Sequence, residues 1–112
     1  MTDGISRRTT FEKLRREGTR VRGPRLSLTY TPIDAPTTQV AFAIPRKVGG
    51  AVVRNRNRRR VRAALDERAR AGRLRPGAYL VHVPRSLDDL DASALRAEVD
   101  DLLGALDARL FR

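Results

Sequence analysis

Six arginines, Arg54, Arg56, Arg58, Arg59, Arg60 and Arg62, fall within nine consecutive positions of the stretch AVVRNRNRRRVRAAL, residues 51–65. A guanidinium is a planar fork that grips phosphate oxygens in pairs and stacks on bases. Asn55, set among them, offers both a donor and an acceptor, as a contact to a sugar or base would need. Asp66 and Glu67 are the nearest acids downstream, and upstream none precedes the run back to Asp34. Six like charges without interleaved acids repel one another, so the pattern calls for a polyanionic partner rather than an ordinary solvated face. At about 100° per residue, Val53, Val61, Ala64 and Leu65 make one apolar stripe with Arg56, Arg59 and Arg62 opposite it. Arg54 and Arg58 then frame one side of the stripe and Arg60 the other.

Other chemistry is sparse. His82 is the only histidine and sits inside the strand pattern AYLVHVP, where it reads as a strand residue rather than a general base. The carboxylates of SLDDLD stand at a helix start, where they favour the N-terminal dipole, with metal binding a minor alternative. VGGAV lacks the Lys and Ser/Thr of a phosphate-binding loop. The absence of cysteine removes disulfides and thiolate metal sites. No catalytic residues and no metal ligands are assigned.

The elements that must position the arginines follow from periodicity. RRTTFEKLRREGTR predicts a short helix with Thr9 or Thr10 as cap, Phe11 and Leu14 at i,i+3, and a stop at Gly18. RLSLTYTP and QVAFAIP alternate as strands, predicting an antiparallel pair with IDAPTT as the turn. In the second strand Val40, Phe42 and Ile44 share one face, and Ala41, Ala43 and Pro45 the other. Those small residues are either covered by the first helix or leave an open trough between helix and sheet. The arginine helix runs on to Gly72, AYLVHVP makes a further strand, and a closing helix places Leu95, Val99, Leu102, Leu103 and Leu106 at helical spacing.

The 112 residues suit a single domain, 1–112, with one core. The net charge of +11 is unevenly spread: residues 1–62 carry 16 Lys and Arg against 4 Asp and Glu, residues 63–112 carry 8 against 9. A field made by the first half favours nucleic acid or an anionic membrane over a small neutral substrate. The opening MTDGISRRTTFEKL holds no apolar run suited to a signal peptide or membrane span, which predicts a soluble, cytoplasmic protein.

RKVGGAVVRNRNRRRVRAAL resembles the signature of the bacterial ribonuclease P protein component: a basic strand end, Gly, Ala-Val, then Arg-Asn-Arg and further cations on one helix. FEKLRREGTR resembles that family's opening helix, and the likeness extends from about Arg7 to Phe111. It implies an α+β fold, a two-layer α/β sandwich of order αβββαβα with a left-handed βαβ crossover, ribosomal protein S5 domain 2-like. It further implies that an RNA subunit performs magnesium-dependent (Mg2+) removal of the 5′ leader of precursor tRNA, with the protein as accessory subunit. Carried over residue by residue, Arg46, Lys47, Arg54, Asn55, Arg56, Arg58, Arg59 and Arg62 would bind the RNA subunit. Phe11, Arg15, Ala41 and Ala43 would line the leader trough, with the facing of Tyr30 dependent on strand register. The chain departs from the pattern at Asn57, usually aliphatic, at Arg15, often aromatic, and at Pro45, commonly Ser. The rival readings are a small ribosomal or general RNA-binding protein and, third, a peripheral membrane protein; the latter would leave Val53, Val61 and Leu65 exposed, although the core needs them.

Overall fold

The computed structural model describes residues 3–5, 7–34 and 36–111. Its elements are β1 (Asp3–Gly4), α1 (Arg8–Glu17), β2 (Thr19–Arg22), β3 (Ser27–Thr31), β4 (Thr38–Ala43), a single 3₁₀ turn (Arg46–Val48), α2 (Ala51–Arg70), β5 (Gly77–His82) and α3 (Ala92–Leu110). Apart from the two-residue β1, the order is αβββαβα. The strands form one mixed sheet in the order β1-β4-β5-β3-β2. β4 and β5 are parallel neighbours joined through α2, which makes the βαβ unit. No helix among the described residues is long and apolar enough to cross a membrane.

The expected pairing of the two strands after α1 is corrected. β3 and β4 run in opposite directions, but β5 lies between them, antiparallel to β3 and parallel to β4. β5 takes the centre because Ala78, Tyr79 and Val81 are all fully enclosed, and a strand apolar on both faces gains most there. The hairpin partner of β3 is β2, with Val21 opposite Leu28. The turn expected over IDAPTT includes Ala35, which lies outside the described residues.

One sheet face packs on α2 and α3. Leu28, Tyr30, Val40, Tyr79 and Val81 meet Val61, Leu65, Leu95, Val99, Leu102 and Leu106 in a single cluster, with Phe42 and Ile44 packed at its margin. Tyr30 therefore points into this core, not into the trough. Its ring lies 4.9 Å from that of Tyr79, and the two hydroxyls donate to Pro76 O (2.5 Å) and Arg75 O (2.6 Å). α2 ends as expected at Gly72, whose φ of 69° lets Arg73 N–H reach Arg68 O at 2.9 Å and Gly72 N–H reach Ala69 O at 3.0 Å, closing a Schellman turn. The start of α1 differs from expectation. Arg7, held in an extended conformation, is the cap residue without a side-chain cap bond; its carbonyl accepts from Thr10 N at 3.2 Å and Phe11 N at 3.4 Å, so both threonines already lie within the helix.

Asn57 occupies the buried stripe of α2 and is fully enclosed. Its Nδ2 donates to Val53 O at 3.0 Å, and its Oδ1 accepts from Leu87 N at 3.1 Å. A polar side chain can replace an aliphatic one there because both its functions are satisfied. One turn on, Arg60 donates to Leu87 O at 2.6 Å and to Leu90 O. From the opposite side Arg25 grips Asp89 through two bonds of 2.6 and 2.9 Å and donates to Ser86 O at 2.7 Å. The segment between β5 and α3 is thus fixed to α2 and to the β2–β3 turn. Asp91 then caps α3, accepting from Ala94 N at 2.7 Å. Asn57→Ala leaves the buried Leu87 N–H without its acceptor. We expect a loss of about 1–3 kcal/mol in stability, read as a lower urea midpoint with an unchanged slope; an unaltered midpoint would contradict the role of this contact.

Candidate nucleic-acid interface

The arginine helix divides into three surfaces. Arg54, Arg58 and Arg62 follow one another at i,i+4 on the flank facing β4, with the Arg62 guanidinium 5.4 Å from the centroid of the Phe42 ring. Arg62 therefore joins the Arg54 flank rather than the outer face assigned to it from the wheel. Asn55 and Arg59 lie on the exposed outer surface. Arg56 and Arg60 form the opposite flank and are occupied within the fold. The Arg56 guanidinium holds Asp88 through two bonds of 3.1 and 2.5 Å, and Arg60 holds the carbonyls of the 86–90 segment. Sequence proximity missed this neutralisation because Asp88 lies 32 positions away. It also revises the role expected for the carboxylates of SLDDLD: Asp91 serves the helix start, while Asp88 and Asp89 serve Arg56 and Arg25.

Ahead of α2, Gly49 adopts a φ of 154°, and a Cβ there would stand 2.9 Å from the Val53 side chain. This close turn brings the exposed Arg46 and Lys47 beside the first turn of α2, so the two predicted groups of cations do come together. Among the described residues the side chains of Arg46, Lys47 and Arg59 make no hydrogen bond or ion pair, and Arg54 Nε is buried without a partner. Asn55 Oδ1 accepts from Arg58 at 2.5 Å, so Asn55 orients a neighbouring cation instead of standing apart. The acids of the second half neutralise a different set: Asp100 pairs with Arg68 at 2.7 Å, Asp107 with Arg75 at 3.6 Å and Asp89 with Arg25 at 2.6 Å. The cations left over belong mostly to the first half of the chain.

The second surface is the sheet face opposite α2 and α3, which α1 covers in part. Leu14 anchors α1 and is 2% exposed, whereas Phe11 is 40% exposed. Phe11, Leu14 and Arg15 overhang an open cleft of about 490 Å³ whose floor is Gly18, Arg20, Thr29 and Leu80. The trough expected beside the small residues exists, but its floor next to α1 comes from β2, β3 and β5. Ala41 and Ala43, half-buried on the same face, continue that floor on β4, in register with Leu80 and His82. Arg20 was missed because its alternation with buried Val21 in TRVR is only four residues long.

Among the described residues no three His, Asp or Glu side chains gather into a metal-holding group. What the geometry offers is a cationic helix flank and a grooved sheet face with a half-exposed aromatic ring, a combination suited to phosphates and bases.

The bridge from Arg56 holds the Asp88 carboxyl below the usual carboxylate range, chiefly through its hydrogen bond, so Asp88 stays charged throughout the neutral range and competes with any phosphate for Arg56. Asp88→Asn should tighten binding to a duplex polyanion. It should also steepen the log–log salt dependence by about 0.9, one further phosphate contact. Titrations across a salt series check this; parallel slopes for wild type and variant would contradict it.

The sequence model of the Ribonuclease P family matches residues 2–107. A ribonuclease P protein component from Chloroflexus aurantiacus is 37% identical over 102 residues, covering 91% of this chain and 73% of its own. One from Acidothermus cellulolyticus is 36% identical over 104 residues, covering 91% and 86%. Among solved structures, the RNase P protein from Thermotoga maritima superposes with a TM-score of 0.77 at 20% identity over 92% of this chain and 96% of its own. The RNase P protein from Staphylococcus aureus gives 0.77 at 14%, over 91% and 93%. The structures share the fold, and the sequence matches carry the descent: the chain belongs to the ribonuclease P protein component family.

Proposed function

We propose that the chain is the protein subunit of ribonuclease P, binding a catalytic RNA subunit through α2 and the 5′ leader of precursor tRNA through the cleft under α1. The observation that carries the reading is the presence of two distinct surfaces on one small fold, an arginine flank and a groove with an overhanging ring. Duplex RNA is met by its phosphates, for which the flank formed by Arg54, Arg58 and Arg62, continued by Arg46, Lys47 and Arg59, is built. A single strand exposes base faces, for which Phe11 is suited. Hydrolysis at the leader junction would use magnesium held by the RNA. The protein's acids near α2 are committed to arginines, and its contribution is to hold leader and RNA subunit in one geometry. The site of action would be the cytoplasm.

Reconstitution of precursor-tRNA cleavage at low magnesium, with the cognate RNA subunit and with or without this protein, tests the reading. Cleavage should depend on the protein when magnesium is scarce, and RNA-free protein should cleave nothing. Arg59→Ala should lower affinity for the RNA subunit and flatten the salt slope by about 0.9, while Arg70→Ala, at the far end of α2, leaves the slope unaltered.

Phe11→Ala separates stacking from packing, because Leu14 already anchors α1. The variant should keep its melting temperature and its affinity for mature tRNA, and lose about 1–3 kcal/mol of affinity for leader-bearing substrate. Equal losses for both tRNAs, or a lowered melting temperature without a leader effect, would return Phe11 to the core.

A further inference from the structure

Beyond the end of α1 the same sheet face carries a second cleft, of about 220 Å³, lined by Arg20, Arg22, Ser27, His82 and Pro84 with the β2–β3 turn. It continues the first. Arg20 borders both, and the register steps from Thr29 and Leu80 in the first cleft to Ser27 and His82 in the second, two residues along β3 and β5 on one face. Arg20 stands opposite Thr29 and Arg22 opposite Ser27, so each cleft has an arginine at its β2 edge. At the β4 edge Ala43 is level with His82, and from Ala43 the chain passes through Arg46 and Lys47 into α2.

We propose that this second cleft is a further nucleotide subsite on the single-strand track, with Arg20 and Arg22 holding successive phosphates and His82 and Ser27 meeting a base beside Pro84. The proposal rests on the reading of the first cleft as the leader site. Its charge is the first argument. Arg20 and Arg22 are exposed, and Arg22 makes no side-chain hydrogen bond or ion pair among the described residues. Arg20 is steered by a 3.2 Å bond to Ser27 Oγ that leaves its charge uncompensated. The neighbouring acids are engaged elsewhere. Glu98 accepts the backbone N–H groups of Arg25 and Leu26 at 2.8 and 2.7 Å, and Asp89 is held by the Arg25 side chain. An anion is the ligand this edge lacks.

Spacing is the second argument. Alternate residues of a strand repeat at roughly 7 Å, close to the separation of successive phosphates in an extended nucleic acid strand. The third argument is the floor. His82 is half-buried, so its ring is held by the sheet while one side remains open, and an imidazole can stack on a base or bond to its edge. The Ser27 hydroxyl and the Pro84 ring complete the lining of this cleft. A strand leaving it runs toward the Arg46–Lys47 turn, which joins the groove to the cationic flank of α2.

The experiment measures the affinity of the reconstituted holoenzyme for precursor tRNAs whose leaders are lengthened one nucleotide at a time. With wild-type protein we expect two separate gains. Phe11→Ala removes one, and Arg22→Gln or His82→Ala removes the other, each by about fivefold or more. Arg22 is exposed, so Arg22→Gln keeps the test open if His82→Ala lowers the melting temperature. Wild-type affinity of Arg22→Gln and His82→Ala at every leader length, or an equal loss for leaderless tRNA, would overturn the second subsite. If Phe11→Ala leaves leader dependence intact, it is the reading of the first cleft that fails. Titration of the free protein with a short single-stranded RNA then decides the second cleft alone: weaker binding by Arg22→Gln upholds it, and unchanged binding overturns it.

Discussion

Like charges at i,i+4 on a helix repel, and α2 carries two such arginine rows on opposite flanks, Arg54–Arg58–Arg62 and Arg56–Arg60. The segment between β5 and α3 relieves one of them. It supplies Asp88 to Arg56 and two carbonyls to Arg60, and it docks on α2 through the Leu87–Asn57 bond. Arg25 holds the same segment from the other side. Without this clamp the Arg56–Arg60 row would stand uncompensated beside a buried stripe. With it, the repulsion that remains is concentrated on the flank and outer surface that carry Arg54, Arg58 and Arg59. The strongly basic first half of the chain is thus made compatible with folding by a few acids of the second half, and the surplus is placed where a polyanion can take it up.

The sheet poses the complementary problem of covering its second face. α2 and α3 cover one side, and α1 is too short to cover the other. Its ten residues reach β3 and β5, where Leu14 is buried, and leave β4 and the far ends of β3 and β5 open. Open sheet surface is tolerable because its residues are small or polar: Thr29, Ala41, Ala43 and His82. The groove is therefore a consequence of residue size on alternate strand positions, the same alternation that puts Val40, Val81 and Leu28 into the core. Cleft and core are built from opposite faces of the same strands.

Much of this was legible in the sequence. The leucines of α3, the stop at Gly72, the two faces of β4 and the apolar stripe of α2 follow from periodicity, which is local, and the structure agrees with each. The start of α1 and the facing of Arg62 are local departures, whereas the larger ones share a cause, since they concern residues brought together over long separations. Nothing in RLSLTYTP or QVAFAIP says that β5 will part them. Asp88 and Arg56 meet across 32 positions, so the arginine run looked less compensated than it is. Asn57 looked out of place because its partner, the Leu87 N–H, belongs to a segment with no periodic signal. Of the residues singled out on α2, Arg54, Arg58 and Arg62 share the β4-facing flank, Asn55 and Arg59 the outer surface, and Arg56 is bound to Asp88, while Phe11 overhangs the cleft. The sheet floor was not legible, because a four-residue strand is too short to show which of its arginines share a face.

The clamp also bears on how tightly the arginine surface can bind. Ordering long cationic side chains on a partner costs conformational entropy, and each flexible side chain immobilised costs about 0.5–1.5 kcal/mol. Part of that ordering is already done in the free protein. Asn55 holds Arg58 at 2.5 Å, Phe42 underlies the Arg62 guanidinium at 5.4 Å, and the Gly49 turn packs against Val53 so that Arg46 and Lys47 are carried on a fixed support. The helix beneath them is itself fixed by Asn57 and Arg60. A buried amide in the stripe of α2, where an aliphatic residue would pack as well, therefore acts on the arginine surface from beneath it. It fixes the rotation of α2 about its own axis, and with it the direction in which the Arg54 flank faces.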